Sequence, residues 1–327
     1  MILVTGATGF IGGHLVETLA ARGLRFRCLV RRTDCHLPGE TAFANLSTGK
    51  GLDDALKGVQ IVIHLAGVTK ALHSGDYYAG NLRTTELLAR ALVGSGIRLA
   101  HVSSLAVIGP SANGVPVAED AKAHPLTHYG KSKLEAEQIV RSLLPDAVIV
   151  RPPVVYGPRD RGVFQVFKPI SKGWALEIGG GGREDDEQGG RERWFSMIYV
   201  KDLVEGILLA AAAPHAAART YFLSHPEPVS WSALAGAAAQ IMGRHTRILR
   251  VPPLAARAVG CCAELWSRAT RKPGVLSREK ILEATCANWT CDTRRAALEL
   301  EFRARTSLMD GLTETLAWYK KAGWLHY

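Results

Sequence analysis

The stretch ILVTGATGFIGGHL, residues 2–15, constrains the fold more than any other part of the chain. A short apolar run, Ile2-Leu3-Val4, is followed by Gly6, Gly9 and Gly12, spaced three apart, and then by residues of helical periodicity. A strand that turns through glycine into a helix aims the helix's first N–H groups and the positive end of its dipole at one spot, which suits a pyrophosphate. The glycines let backbone approach that phosphate and let the helix pack closely on the strand. The first two glycines are one residue further apart than in the usual G-x-G-x-x-G spacing, so the context carries the assignment. The turn directly follows the first strand pattern, inside a strand–helix–strand unit, and so points to nucleotide binding.

The rest of the first half repeats that alternation. FRCLVR, VQIVIHLA, LAHVSS and AVIVRPP are short, β-branched runs ended by turn residues, and NLRTTELLARALVGSG and YGKSKLEAEQIVRSLL read as helices between them. Such a pattern predicts a parallel sheet covered on both faces. Gly23 and Gly96 stand where glycine stops a helix, and Pro145 follows the helix that begins near Tyr129. After about residue 160 the pattern loosens. Residues 179–193, GGGGREDDEQGGRER, are expected to form a poorly ordered loop, with Arg191 and Arg193 as solvated charges or anion contacts. FSMIYVKDLVEGILLAAAA reads as strand then helix, YFLSH as a strand, and SWSALAGAAAQIMG as a helix capped by Ser230. The expected organisation is a nucleotide-binding sheet domain over 1–165 and a smaller, mostly helical substrate lobe over 166–327, with segments around 194–225 returning to the first domain.

At 327 residues and 47% hydrophobic content the chain can bury a large core. No apolar run reaches the ~18–20 residues a membrane-spanning helix needs; VPPLAARAVGCCAELW is interrupted by Arg257 and Glu264. Nothing at Met1 resembles a signal peptide, so a soluble cytoplasmic protein with no membrane partner is expected. The six cysteines show no C-x-x-C pair, which predicts neither a metal site nor a disulfide framework, and Cys261–Cys262 read as core filling. The net charge of +10 comes from scattered residues without a Lys/Arg run, which argues against nucleic acid and leaves phosphorylated small molecules as partners.

Two further stretches carry chemistry. The second strand ends Val30-Arg31-Arg32, where a carboxylate would hold a ribose 2′-hydroxyl and an arginine accommodates a 2′-phosphate. NADP is therefore expected, with NAD as the alternative. In THYGKSK, Tyr129 and Lys133 lie one helical turn apart on one face. A phenol titrates near pH 10, and a cation within about 4–6 Å, together with the positive nicotinamide ring of an oxidised cofactor, lowers that value and makes it a proton shuttle. His64 and His101 fall inside strand patterns and read as hydrogen-bonded core histidines.

The glycine turn, HLAG at 64–67, SSLAVIG at 103–109, YGKSK at 129–133 and RPPVVYGP at 151–158 occur in a fixed order that resembles the extended short-chain dehydrogenase/reductase family, the NAD-dependent epimerase/dehydratases, from Met1 to about Asp202. The resemblance implies a Rossmann-type doubly wound α/β fold, with Tyr129, Lys133 and Ser104 as catalytic residues. It implies cofactor contacts from Gly6, Thr8, Gly9, Phe10, Ile11 and Gly12 in the turn. Arg31, Arg32, Asn45 and Leu46 would lie at the adenosine end, and Leu65, Ala66, Gly67 and Asn81 beside the middle. Ser103, Tyr129, Lys133, Pro152, Val154 and Val155 would lie toward the nicotinamide. Asn81 reads equally well as a helix cap, and Thr84 stands where the family has glycine.

Val154 replaces an asparagine, and Ile108 a tyrosine, that many nucleotide-sugar enzymes of the family carry, and Leu105 replaces a dehydratase acid. The expected function is therefore an NADP(H)-dependent oxidoreductase acting on a ketone or secondary alcohol. The alternatives are a nucleotide-sugar epimerase or dehydratase with tightly held NAD, and a cofactor-binding sensor without turnover. The resemblance also implies a homodimer built from helices at 81–94 and 129–144, through positions such as Leu88, Ala91, Leu134 and Ala136.

Overall fold

The computed structural model describes residues 1–32, 35–111, 115–178, 192–271, 274, 277–286 and 288–327. The chain opens with β1 (Ile2–Thr5), α1 (Phe10–Ala21), β2 (Phe26–Val30), β3 (Glu40–Phe43), α2 (Leu52–Leu56), β4 (Ile61–His64), α3 (Ser74–Tyr77), α4 (Thr84–Leu92), β5 (Arg98–Val102), α5 (His128–Leu143) and β6 (Val148–Val150). It continues through β7 (Val154–Tyr156), α6 (Phe164–Ile170), β8 (Trp174–Ile178), β9 (Trp194–Phe195), β10 (Met197–Tyr199), α7 (Val200–Ala212) and β11 (Thr220–Tyr221). The last part holds β12 (Val229–Ser230), α8 (Trp231–Ile241), β13 (Arg247–Val251), α9 (Pro253–Thr270), α10 (Arg278–Thr285), β14 (Asn288–Trp289), α11 (Arg294–Glu299) and α12 (Leu308–Lys321).

Seven strands form one sheet in the order β11-β6-β5-β4-β1-β2-β3, and every neighbouring pair is parallel. Its central strands are apolar along their length because both faces are covered: Leu3, Val4, Val62, Ile63, Ile149 and Val150 are all fully buried. On one face α1 contributes Leu15, Val16 and Leu19, and α7 contributes Leu203, Val204 and Ile207. On the other, α2, α4 and α5 contribute Leu56, Leu88, Leu92 and Val140. Strand order reverses between β1 and β4, which opens a crevice at the carboxyl ends of the strands.

A second core joins α6, α8 and α12 through Phe167, Leu234, Leu312, Leu316 and Tyr319, with Tyr319 stacked on Trp324 at 5.6 Å. Short strands decorate this part: β8 pairs with β13, and β9 pairs with β12 and β14. Ser230 caps α8 by accepting from Ala233 N, as the sequence predicts. Helix α9 packs on α10 so closely that a Cβ at Gly260 would stand 2.9 Å from Ile281.

Several local expectations need correction. The helix expected from residue 81 opens as a π-type turn over Tyr78–Arg83, because the Asn81 side chain turns inward to bond the 68 backbone. Cys262 is exposed and Cys261 half-buried, so this pair does not fill a core; the inward face of α9 is Ala256, Gly260 and Ser267. Leu88 and Ala136 lie wholly inside the chain's own core and cannot carry a dimer contact, while Ala91 and Leu134 are half-buried. Residues 179–191 of the expected loop, Arg191 among them, lie outside the described residues. Arg193 bonds the backbone carbonyls of Ala284 and Ile178 rather than standing in solvent.

Candidate active site

The crevice begins at the turn between β1 and α1. Gly6 has φ +73°, and a Cβ there would lie 2.7 Å from Ala66 N; a Cβ at Gly12 would lie 2.1 Å from Gly6 O. Only hydrogen fits at both positions. Gly9 begins α1 with no side-chain cap and no acid in the first turn, whereas Thr127, Ser230, Ser277 and Ser307 cap α5, α8, α10 and α12. The positive end of α1 is thus left for an anion. Beyond it, Ser103 Oγ is buried without a hydrogen-bond partner among the described residues. A glycine cradle, an uncapped helix and an orphaned hydroxyl along one crevice fit a dinucleotide.

The wall of the crevice is a directed hydrogen-bond chain. Ala66 N donates to Thr5 Oγ1 at 3.2 Å, and Thr5 Oγ1 lies 2.7 Å from His64 Nδ1. His64 Nε2 lies 3.0 Å from Thr85 Oγ1, which itself donates to Asn81 O at 2.5 Å. Because Thr85 spends its proton on Asn81, His64 must donate from Nε2; with the ring kept neutral by burial, Nδ1 accepts from Thr5. Burial, with the nearby charge of Lys133, pushes its pKa down to about 3. The expectation of a satisfied core histidine holds for His64. It fails for His101, whose ring lies 5.4 Å from that of His64 and whose two nitrogens find no partner among the described residues.

At the far end Arg31 and Arg32 are exposed just beyond β2. Asn45 Oδ1 is engaged in a local turn, accepting from Ser47 N at 2.8 Å, and Leu46 is buried. Asn81 does not cap a helix. Its amide accepts from Val68 N at 2.7 Å and donates to Val68 O and Ser132 Oγ, which ties the segment following Gly67 to α5.

Ser104, Tyr129 and Lys133 meet at the end of β5. Ser104 Oγ accepts from Ala106 N at 3.2 Å, and Ser104 lies beside the Tyr129 phenol, whose pKa it draws down. Gly130 makes this approach possible, since a Cβ there would stand 2.5 Å from Ala106 O. One turn on, Lys133 Nζ donates to Val102 O at 2.8 Å. Burial pushes its ammonium down to about 8, against the opposing pull of Glu137. Glu137 accepts from Arg151 Nε at 2.9 Å and Nη2 at 2.6 Å, and Arg151 also donates to Glu119 O at 2.8 Å. Of the remaining predicted positions, Pro152 O accepts from Leu105 N at 2.9 Å, and Val154 and Val155 form β7 with Val154 exposed.

The expected lowering of the Tyr129 phenol by Lys133 is not what the structure shows. Burial pushes the phenol up; Ser104 and Lys280 pull it down, Glu283 pushes it up, and the net direction is upward. The cation facing the ring is Lys280 of α10, 5.7 Å from the centroid and paired with Glu283 at 2.6 Å. Lys133 Nζ donates to the β5 carbonyl of Val102. Helix α10 is locked over the start of α5 by Thr127 Oγ1 donating to Glu283 and His128 N donating to Glu279. Tyr77 packs edge-on against Tyr129 at 6.1 Å. None of Lys280, Glu283 or Tyr77 sits in a motif, and 147 residues separate Lys280 from Lys133, so only the fold reveals them.

A parallel sheet whose strand order reverses beside an uncapped glycine turn is the architecture of dinucleotide-dependent dehydrogenases and their relatives. A model of the NAD dependent epimerase/dehydratase family matches residues 2–223, and the chain belongs to that family, an enzyme of the extended short-chain dehydrogenase/reductase type. It is 31% identical over 330 residues to a ceramide reductase of Caulobacter vibrioides, covering 99% of this chain and 96% of the relative. It is 27% identical to the N-acetyl-alpha-D-glucosaminyl-diphospho-ditrans,octacis-undecaprenol 4-epimerase of Escherichia coli O157:H7, with 96% and 94% covered. The crystal structure of gox2253 superposes with a TM-score of 0.79 at 26% identity, covering 100% and 99% of the two chains. The UDP-glucose 4-epimerase of Thermus thermophilus in complex with NAD shares the fold, with a TM-score of 0.76, 20% identity, and 98% and 99% covered.

Proposed function

We propose that the chain is an NADP(H)-dependent reductase of a ketone on a lipid-like substrate, with Tyr129 as acid–base group, Ser104 holding the reacting oxygen and Lys133 as the adjoining cation. The observation that carries this reading is the placing of the Ser104 hydroxyl beside the Tyr129 phenol at the carboxyl end of β5. A carbonyl oxygen entering between the two hydroxyls would accept from both. A bound reduced nicotinamide would supply the hydride for the carbonyl carbon, and Tyr129 would give its proton to the oxygen. The upward direction of the phenol pKa keeps it protonated at neutral pH, which is the state that reduction requires.

The adenosine end supports NADP(H), because Arg31 and Arg32 stand where a carboxylate would select NAD. The glycine turn, Leu65–Gly67, Asn81, Ser103 and residues 152–155 are proposed to hold the rest of the cofactor within a domain over 1–165, and the later segments to shape the substrate lobe. The ketone is supported by the apolar Ile108 and Val154 and by the reductase name of the Caulobacter relative. A nucleotide-sugar epimerase is the second reading, favoured by the 27% identical relative from E. coli.

The test is a fluorescence titration of purified protein with NADPH and NADH, followed by turnover on long-chain ketones by wild type and Tyr129→Phe. NADPH preference and turnover reduced about 10²–10⁴-fold in the variant, with cofactor affinity kept, are expected. NADH preference, or NAD⁺ retained through purification together with sugar epimerisation, would overturn the reductase reading.

A further inference from the structure

Helix α9 turns its apolar face outward. Leu254 is 77% exposed, Trp266 73%, Leu265 61% and Val259 52%. At the ~100° per residue of an α-helix, Leu254, Leu265, Cys262, Trp266 and Val259 sweep a continuous arc of about 140° with only alanines between them. The opposite face, Ala256, Gly260 and Ser267, is the one packed against the protein. The helix is therefore inverted relative to a helix that uses its apolar stripe for the core. Eighteen residues make a surface rod about 27 Å long.

The β8–β13 ribbon leads into α9 through Pro252 and carries exposed apolar side chains of its own. Trp174, Leu176 and Leu249, in register across β8 and β13, are 40–47% exposed. Between Arg244 and Arg271 stand six arginines and one acid, Glu264, so half of the chain's net charge of +10 falls in 28 residues. Four of the six, Arg244, Arg247, Arg257 and Arg271, make no ion pair among the described residues. Where the ribbon starts, an open basin is walled by Lys172, Arg244, His245 and His326 without a carboxylate.

We infer that α9 and the β8–β13 ribbon dock the protein onto the surface of an anionic lipid bilayer, with Leu254, Leu265 and Trp266 in the acyl boundary and the arginines on headgroup phosphates. An exposed apolar arc carrying tryptophan, edged by arginine, is how a helix lies in an interface without crossing it. Among the described residues no helix is long and apolar enough to cross a membrane. A second copy of this chain is disfavoured as occupant, because a two-fold contact would set two strongly cationic surfaces against each other. This proposal departs from the expectation, drawn from the sequence, of no membrane partner. Docking also brings the cleft to the lipid, since α9 packs on α10 and α10 lays Lys280 over Tyr129. The inference stands on the surface alone and is independent of the reaction proposed above.

The test is flotation of the full chain with phosphatidylcholine vesicles containing phosphatidylglycerol, and with pure phosphatidylcholine. It compares wild type with Leu265→Glu/Trp266→Glu, and circular dichroism with thermal unfolding reports that the exposed double variant is folded. Wild type should float with the anionic vesicles, less so at high salt, and the variant should partition at least about tenfold more weakly. Failure of wild type to float, or equal flotation of the variant, overturns the inference. So does a wild-type dimer in sedimentation velocity that the variant dissociates while neither protein binds vesicles, which would assign the face to a second copy. Turnover is measured separately, so loss of docking and loss of catalysis are distinguishable.

Discussion

Glu137→Gln tests how the core supports the site. Glu137 and Arg151 are 1% and 5% exposed, joined by two hydrogen bonds, and the guanidinium has one further partner in Glu119 O. Glutamine keeps the shape but removes the charge and presents an N–H₂ group to a donor. Losing one member of a buried pair costs about 3–5 kcal/mol because the other is left uncompensated. The Glu119 bond and the Phe222 ring, 6.0 Å from the Arg151 guanidinium carbon, remain, so the lower end, about 3 kcal/mol, is expected. For a chain of this size that corresponds to a fall in Tm of roughly 4–5 °C by calorimetry. Replacing both residues with apolar ones, Glu137→Leu/Arg151→Met, should recover most of the loss. The same charge holds up the Lys133 ammonium, so the single variant should also move the Lys133 titration, followed by NMR, below its value of about 8. A Tm within about 1 °C of wild type, or a Lys133 titration that moves upward, would refute the reasoning.

Two further outcomes follow from the same geometry. Gly12→Ala places a methyl 2.1 Å from Gly6 O and should abolish dinucleotide binding or soluble expression, whereas Gly236→Ala, with nothing within 4 Å, should be neutral or stabilising by up to ~1 kcal/mol; cofactor titration and Tm distinguish them. For Lys133, the folded pKa of about 8 lies below the ordinary 10.5, so between those values the unfolded chain binds a proton that the folded chain does not. Stability should rise with pH through that window, and below about 8 the burial penalty is fully present. Lys133→Met should therefore stabilise the cofactor-free protein most below pH 8, by about 3 kcal/mol at most, with the advantage shrinking toward pH 10.5; a pH-independent difference in unfolding free energy contradicts this.

The doubly wound sheet was legible because its signals are local and repeated. Buried parallel strands must be apolar along their whole length, and glycine is the only residue that fits at Gly6 and Gly12. The Tyr129–Lys133 spacing was legible for the same reason, since a four-residue step on a helix sets a shared face. What that face points toward was not. Whether Lys133 meets the phenol or a strand carbonyl depends on where β5 ends beneath α5. Lys280 reaches Tyr129 only because α9 and α10 fold back across the cleft, and that long-range packing leaves no period or motif.

The sequence by itself therefore determined the layers, the glycine turn and the residues available for proton transfer, all properties of neighbouring positions. Tertiary structure decided which cation faces the phenol, which histidine is hydrogen-bonded, and that the apolar stripe of α9 faces outward. The physical reason is the same in each case. Side chains acquire their pKa values, partners and exposure from the surfaces packed around them, and those surfaces come from residues remote in the chain.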